Sequence, residues 1–374
     1  MNQAGFGENA RRCGPRMETG IIGSLRSECR ELLSSEASGR NGDAQYRRPY
    51  GFGGTVINSR LIKTFSSEIF TGEDGADLRP NEELSRHTTM RVGGPVTCLV
   101  RPWTHKGLAA FFKFAGGEGV PCFVLGNGSN VLAPGEPWDV LVVRLDLCGA
   151  GFSVEETSTG RFQAVFGAGA RLSRCLNFCL SKGLGGMEWA AGIPGTIGGA
   201  LATNAGTAAG STADRLLWAE CLDGDGNLHR LRRDEMDFAY RRGGLPRGWL
   251  ALSACFELQG GADMNETRRI IREAMRRRMA TQPLGVPSAG SVFKNPPGHF
   301  AGALIEQAGL KGFRMGRAKV SEKHANWIIN EGGATSGEIR ALIELIEEKV
   351  QKRFAIRLEK EIQLLGPGTT GRVH

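Results

Sequence analysis

The stretch "SAGSVFKNPPGHF", residues 288–300, presents Ser291 between an Ala-Gly step and a Lys-Asn-Pro corner. A turn serine bonding its own backbone is the plain account of that hydroxyl, and no strand is expected there. Whether more is asked of it depends on what the chain can bind. Two glycine-rich stretches offer ligand cradles. "VLGNGSNVLAPG" sets Gly126, Gly128, Ser129 and Asn130 directly after a buried apolar run, where backbone N–H groups can approach an anion and the side chains add donors. "GMEWAAGIPGTIGGALATNAG" is dense in Ala and Gly and stiffened by Pro194. A crossover between packed elements could use such a loop, but so much exposed backbone suits a flat, extended ligand laid against main chain. "VFGAGARL" approaches the dinucleotide fingerprint but ends in Arg171 and Leu172 instead of a final glycine, so it reads as a strand-to-helix turn.

The cysteines lack CxxC pairs and the six histidines are isolated, so neither a disulfide framework nor a metal site is expected. Buried thiols in a reducing compartment are the simpler reading. The net charge of +8 is mild for 374 residues, with Arg276, Arg277 and Arg278 the one short basic run. It suits an anionic small substrate as well as nucleic acid. No apolar run approaches the roughly 20 residues that span a bilayer, and no compact hydrophobic leader opens the sequence. A cytoplasmic protein with no membrane partner is the expectation.

Elements must position these loops. Residues 1–60 are rich in Gly, Ser, Asn and Arg and read as a poorly ordered extension. It has one helical candidate, Leu25–Leu33, and Met17 is a second candidate start. From "HTTMRVGGPVTCLVRP" onward, "PVTCLVRP", "VPCFVLG" and "FQAVFGAG" read as strands, and "KGLAAFFKFAGG" and "RLSRCLNFCLSKG" as helices. A long loop through Asn204 follows, then strands "DRLLWAECLD" and "LALSACFEL". The basic amphipathic helix "MNETRRIIREAMRRRMATQP" opens a third block, which holds the Ser291 loop, the helix "SGEIRALIELIEEKVQKRF" and a last strand, "AIRLEKEIQLLG". Without steady βαβ alternation the chain is expected to be α+β. In that last strand Ile356, Leu358, Ile362 and Leu364 share one face, which leaves Glu361 with Glu359 on a solvated one.

The order of "MRVGG", the pyrophosphate-like loop and "GIPGTIGGA", followed by "YRRGG", "GSVFKNP", "AGALIEQAGLKG", "VSEKHANWIIN" and "LEKEIQLLG", resembles the UDP-N-acetylenolpyruvoylglucosamine reductase family from Ser85 to Gly366, in its shorter (type II) form. The resemblance implies an FAD-binding domain of the vanillyl-alcohol-oxidase/PCMH type over 61–260. A smaller α+β substrate-binding domain over 261–366 and a tail over 367–374 would complete the chain. It implies noncovalent FAD and NADPH as co-substrate. The enolpyruvyl ether of a UDP-sugar would be reduced to a lactyl ether for peptidoglycan, by a protein acting as a monomer without nucleic acid.

Carried over residue by residue, FAD would lie against Arg91, Gly126, Asn127, Gly128, Ser129, Asn130, Ile193, Pro194, Gly195, Thr196, Gly198 and Asn204. Arg241 would clamp the substrate carboxylate, Ser291 would protonate C2, and Glu361 would partner the charge developing there. Tyr240, Asn295 and Arg278 would bind substrate, Arg278 at the diphosphate unless it belongs to a solvated charged face. Gly243 stands where the family usually has serine, which leaves Arg241 and Arg242 as rivals for the inward position. Two other classes compete: an FAD-dependent alcohol oxidase sharing the FAD domain, and a catalytically silent UDP-sugar-binding flavoprotein. A convincingly placed His or Cys for covalent flavin would favour the first, and inactivity in an assay the second.

Overall fold

The computed structural model describes residues 64–367 and residue 369; the extension 1–60, including Leu25–Leu33, lies outside them. β1 (Ala76–Glu83) pairs antiparallel with β2 (Pro95–Pro102), in which Val96, Cys98, Leu99 and Val100 are all buried. β3 (Cys122–Val124), β4 (Val131–Leu132) and β5 (Trp138–Val143) follow. β5 lies parallel between β2 and β3, giving the order β1-β2-β5-β3. The helix between them, α1 (His105–Gly117), starts where the Thr104 side chain accepts Gly107 N–H, and it buries Leu108, Phe111 and Phe112.

A second sheet is antiparallel throughout, in the order β11-β10-β12-β7-β6. Its strands are β6 (Phe152–Ser158), β7 (Arg161–Gly167), β10 (Leu216–Leu222), β11 (Leu228–Arg232) and β12 (Leu250–Gln259), and a small hairpin of β8 (Gly206–Thr207) and β9 (Gly210–Ser211) precedes β10. The turn "GAGAR" joins β7 to α2 (Leu172–Ser181), so "VFGAGARL" is a strand-to-helix turn as expected.

The expected long loop through Asn204 contains a helix, α3 (Ile197–Thr203). Glycine is a poor helix former, and the sequence around it gives little helical signal. Tertiary packing overrides that: Ile197, Gly198, Ala200 and Leu201 are buried, Thr196 caps the start, and Asn204 closes the end at φ 46° in the left-handed region. A short α4 (Thr212–Arg215) leads into β10.

The third block starts with α5 (Met264–Thr281), capped by the Asp263 carboxylate on Asn265 and Glu266 N–H. β13 (Ser288–Ser291), α6 (Ala301–Gln307), β14 (Arg314–Met315), β15 (Ala318–Val320) and β16 (Trp327–Asn330) follow, and the strands form a sheet in the order β13-β16-β15-β14. α7 (Ser336–Phe354) covers this sheet's core. A Thr335/Glu338 capping box starts α7, and it buries Ile339, Leu342, Ile343, Ile346 and Val350 at helical spacing. Met90, Val92 and Leu132 pack into that core, while Leu365 packs into the core under the first sheet.

Two expectations are corrected here. Ser291 is the last residue of a strand, opposite Trp327, and is not in a free turn. The segment 355–366 is not one strand: Lys360 makes an isolated antiparallel bridge to Phe293, and β17 (Gln363–Leu364) then pairs in parallel with β4. Its backbone changes partner once, from residues 292–294 to residues 130–132. Glu359 C=O accepts Lys294 N–H (2.8 Å), Glu361 N–H donates to Val292 C=O (2.8 Å), and Gln363 N–H donates to Asn130 C=O (3.0 Å). No continuous ladder can form across that change of partner.

Candidate active site

A cavity of about 390 Å³ is lined by Asn127, Gly128, Ser129 and Asn130 from one glycine loop and Ile193, Pro194, Gly195 and Thr196 from the other. Arg241, Arg278, Ser291 and Glu361 line it as well. A smaller cavity shares Asn127, Thr196 and Gly199 with it and adds Gly126, Gly198, Arg144 and Arg171. A wide cleft of about 1110 Å³ continues outward past Asn130, Arg241, Lys294 and Glu361.

Packing dictates the loop shapes. Gly128 has φ +62°, and a Cβ there would sit 2.1 Å from the His87 carbonyl. The glycine is therefore required by the neighbouring chain as well as by any ligand. Thr89 locks the loop to the Ser291 strand: its N–H donates to Gly128 C=O (2.9 Å), and its hydroxyl to Ser288 C=O (2.7 Å). Gly290 has φ +76°, and a Cβ there would meet open space on the cavity side. The second loop is held by the Asn127 amide, which donates to Pro194 C=O (3.0 Å).

Three segments bring the expected catalytic groups together. Arg241 lies in the turn Ala239–Arg242, whose ends exchange both backbone hydrogen bonds, and has φ 53°. Its Nε is 2.9 Å from Glu361 Oε1, an ion pair off the hydrogen-bond axis. Arg242 points away to Asp237 (2.8 Å) and is more than half exposed, so Arg241 is the inward arginine. A Cβ on Gly243 would sit 2.2 Å from Leu201 C=O, which explains glycine where serine is expected. Glu361 is not on a solvated face. Its side chain is 19% exposed, and burial holds its carboxyl above the usual range against the opposing pull of Arg241 and Lys294. Asn130 Nδ2 donates to Glu361 C=O (3.1 Å), tying the first glycine loop to this residue. Ser291 is half-buried, and no hydrogen bond to another described residue engages its hydroxyl.

α5 divides its charges. Arg269 pairs with Glu266 and Glu273 on an exposed face, whereas Arg278 reaches the cavity. Gly192, at φ +72°, lets α5 approach so closely that a Cβ would touch Met275 Sδ at 2.7 Å and Arg278 Nε at 3.0 Å. Burial, and then the charge of Arg241, push the Arg278 guanidinium below its ordinary value. The site concentrates positive charge and is built for an anion.

Of the expected cofactor residues, Gly126–Asn130, Ile193–Thr196 and Gly198 line the two inner cavities. Arg91 does not; it is exposed and held in a turn onto Thr88 C=O. Asn204 does not either; its amide bonds to the backbone of Ala239 and Ala213. Tyr240 is 62% exposed, its ring 5.5 Å from the Arg241 guanidinium. Asn295 lies outside the cavity lining, with its Oδ1 accepting Ala301 N–H (3.0 Å). The sequence reading missed Thr89, Gln282, Trp327 and Arg144. Thr89, Gln282 and Trp327 stand in the stretches "HTTMRVGG", "MNETRRIIREAMRRRMATQP" and "VSEKHANWIIN", whereas no motif holds Arg144.

The cavities fit a bound flavin nucleotide. Buried Arg144 Nε in the small cavity, and Arg278 Nε, Gln282 Oε1 and Trp327 Nε1 in the main one, have no hydrogen-bond partner among the described residues. Orphaned polar atoms lining one space call for a polar ligand. Among the described residues no His/Cys/Asp/Glu cluster could hold a metal, and no helix is long and apolar enough to cross a membrane.

Residues 96–232 match the family model of an FAD binding domain, and residues 282–365 that of the C-terminal domain of UDP-N-acetylenolpyruvoylglucosamine reductase. The chain is 49% identical over 292 residues to a protein of that name from Syntrophobacter fumaroxidans, covering 78% of this chain and 84% of the relative. To the one from Moorella thermoacetica it is 43% identical over 313 residues, covering 82% and 99%. The crystal structure of the Thermus caldophilus enzyme superposes with a TM-score of 0.64 at 33% identity, covering 78% of this chain and 99% of that one.

Proposed function

The chain belongs to the UDP-N-acetylenolpyruvoylglucosamine reductase family of FAD enzymes, and from that premise we propose that it reduces UDP-N-acetylglucosamine enolpyruvate to UDP-N-acetylmuramate with NADPH, using Arg241, Ser291 and Glu361. One observation carries this reading: these three side chains and both glycine loops line one cavity. The match over 282–365 separates it from an alcohol oxidase that shares only the FAD domain. That match falls within the substrate-binding domain proposed over 261–366.

FAD, held against the two loops, would supply two-electron redox chemistry between NADPH and the enolpyruvyl CH2. Negative charge then grows on C2 and on the attached carboxylate. Arg241 opposes it with a guanidinium that stays charged and can meet a carboxylate with two parallel N–H groups. Ser291 Oγ gives its proton to C2. A hydroxyl is a weak acid, but a carbanion-like carbon is basic enough to take that proton. Glu361, whose carboxyl burial holds above the usual range, faces the same cavity and partners the charge at C2. Arg278 offers the second positive charge to the diphosphate. The three catalytic groups come from one chain, so a monomer holds the full set. Free buried thiols at Cys98, Cys175, Cys179, Cys221 and Cys255 suit a reducing compartment, and we place the reaction in the cytoplasm.

The test is spectroscopic. The purified protein should be yellow, bleach with NADPH, and recover its colour anaerobically when the UDP-enolpyruvyl sugar is added. A flavoprotein that bleaches but is not reoxidised by that sugar would refute the substrate assignment.

A further inference from the structure

Arg241 is held in a conformation that its own residue type disfavours. At φ 53° it occupies the position of a tight turn that glycine or asparagine normally takes. Such a residue keeps its geometry only when the surroundings over-determine it. The holds come from the end of α3. Gly243 N–H donates to Ala202 C=O (3.1 Å), with no room for a side chain between them. Asn204 Nδ2 donates to Ala239 C=O (3.1 Å), the same carbonyl that receives Arg242 N–H. Asn204 Oδ1 in turn accepts Ala213 N–H at the start of α4 (3.2 Å). The amide is a strut between α4 and the arginine turn.

We propose that Asn204 is a positioning residue for Arg241: its amide sets the turn that aims the guanidinium at Glu361 and at the substrate carboxylate. This rests on the catalytic reading of Arg241 given above. The backbone at 204 is also left-handed, at φ 46°, so asparagine suits both the helix end and the strut.

Asn204→Gly tests the strut while keeping the helix cap, because glycine adopts that φ freely. Flavin content and the rate of bleaching by NADPH should stay at wild-type values. Reoxidation by the UDP-enolpyruvyl sugar should slow by about tenfold, the size of effect expected when a contact to a working residue is lost. In an Arg241→Lys background the same change should cost less than about twofold, since the group it aims is already altered. Unchanged reoxidation in Asn204→Gly, or the full tenfold loss in both backgrounds, would overturn the proposal. If Asn204→Gly fails to fold, Asn204→Asp carries the test. It keeps the acceptor for Ala213 and tolerates the backbone, but sets a carboxylate oxygen against Ala239 C=O, so slowed reoxidation is expected and normal reoxidation refutes. If neither variant folds, Asn204 is a structural residue and the positioning role falls. Arg241→Lys with normal reoxidation would instead refute the catalytic reading of Arg241 itself.

Discussion

Replacing Ser291 with alanine removes one oxygen from a strand end whose backbone is fixed from both sides. Val292 N–H donates to Asn326 C=O (2.8 Å), and Val292 C=O accepts Glu361 N–H (2.8 Å). The lost hydroxyl is half-buried and bonds no described residue, so stability should change by no more than about 0.5 kcal/mol. The cost falls on proton delivery. A positioned proton donor contributes roughly 10²–10⁴-fold, or about 3–5 kcal/mol of barrier at about 1.4 kcal/mol per decade. Two neighbours bear on where in that range the loss lies. The Ser288 hydroxyl leans on Val286 C=O (3.4 Å), and Glu361 lines the same cavity with its carboxyl held above the usual range by burial. With two other oxygen-bearing side chains on the cavity, the expected loss is at the low end, about 10²-fold. Stopped-flow absorbance separates the half-reactions. Ser291→Ala should bleach with NADPH at close to the wild-type rate and be reoxidised by the enolpyruvyl sugar about a hundredfold more slowly. Ser291→Cys should recover part of that loss, since a thiol can also donate. Equal reoxidation rates for wild type and Ser291→Ala would refute the role and leave Ser291 as a plain strand-end serine.

Arg241→Lys keeps the charge but loses the planar fork, so reoxidation by the sugar should slow by about ten- to a hundredfold with normal flavin content. Arg242→Lys, on an exposed pair with Asp237, should be silent in the same assay. For Glu361 the sign follows from its raised folded pKa: between the unfolded and folded values the native state binds the extra proton, so wild-type stability falls as pH rises through that window. Glu361→Gln cannot titrate, and its melting temperature relative to wild type should climb from acid toward neutral pH; calorimetry finding the opposite slope would refute the burial argument. Gly128→Val should lose flavin, measured as absorbance per protein, because its Cβ drives into His87 C=O and forces the loop open.

The regular elements were legible because their periodicity is strong. Ser336–Phe354 reads as a helix from its apolar spacing and is one over that same span. β2 reads equally well from PVTCLVRP. What failed were the segments in which tertiary contacts outvote local pattern. α3 is made of residues with poor helix propensity and is held by its neighbours. The alternation in "AIRLEKEIQLLG" suggested a half-buried strand, yet the segment pairs antiparallel with residues 292–294 and then parallel with β4, a change of partner that no period can encode. Alternation alone put Glu361 on a solvated face for the same reason, and the family resemblance put it in the site: its neighbours Arg241 and Asn130 are both distant in sequence. Arg91 and Asn204 were drawn into the cofactor set by motif position alone. Both have left-handed backbones, as does Arg241, which a sequence of non-glycine residues does not announce.

The bond from Asn130 to Glu361 joins residues 231 positions apart. During synthesis at about 5–20 residues per second, the first glycine loop leaves the ribosome roughly 10–50 s before the segment that pins it. Throughout that interval the loop has its local partners but neither β17 beside β4 nor the carboxylate that pairs with Arg241. The binding surface is therefore completed last, and flavin capture by a ribosome-tethered chain stalled before residue 360 should be weak however well the first sheet has folded. Closing so long a loop also makes this contact a slow one, so refolding from denaturant should restore strand and helix content before it restores flavin binding.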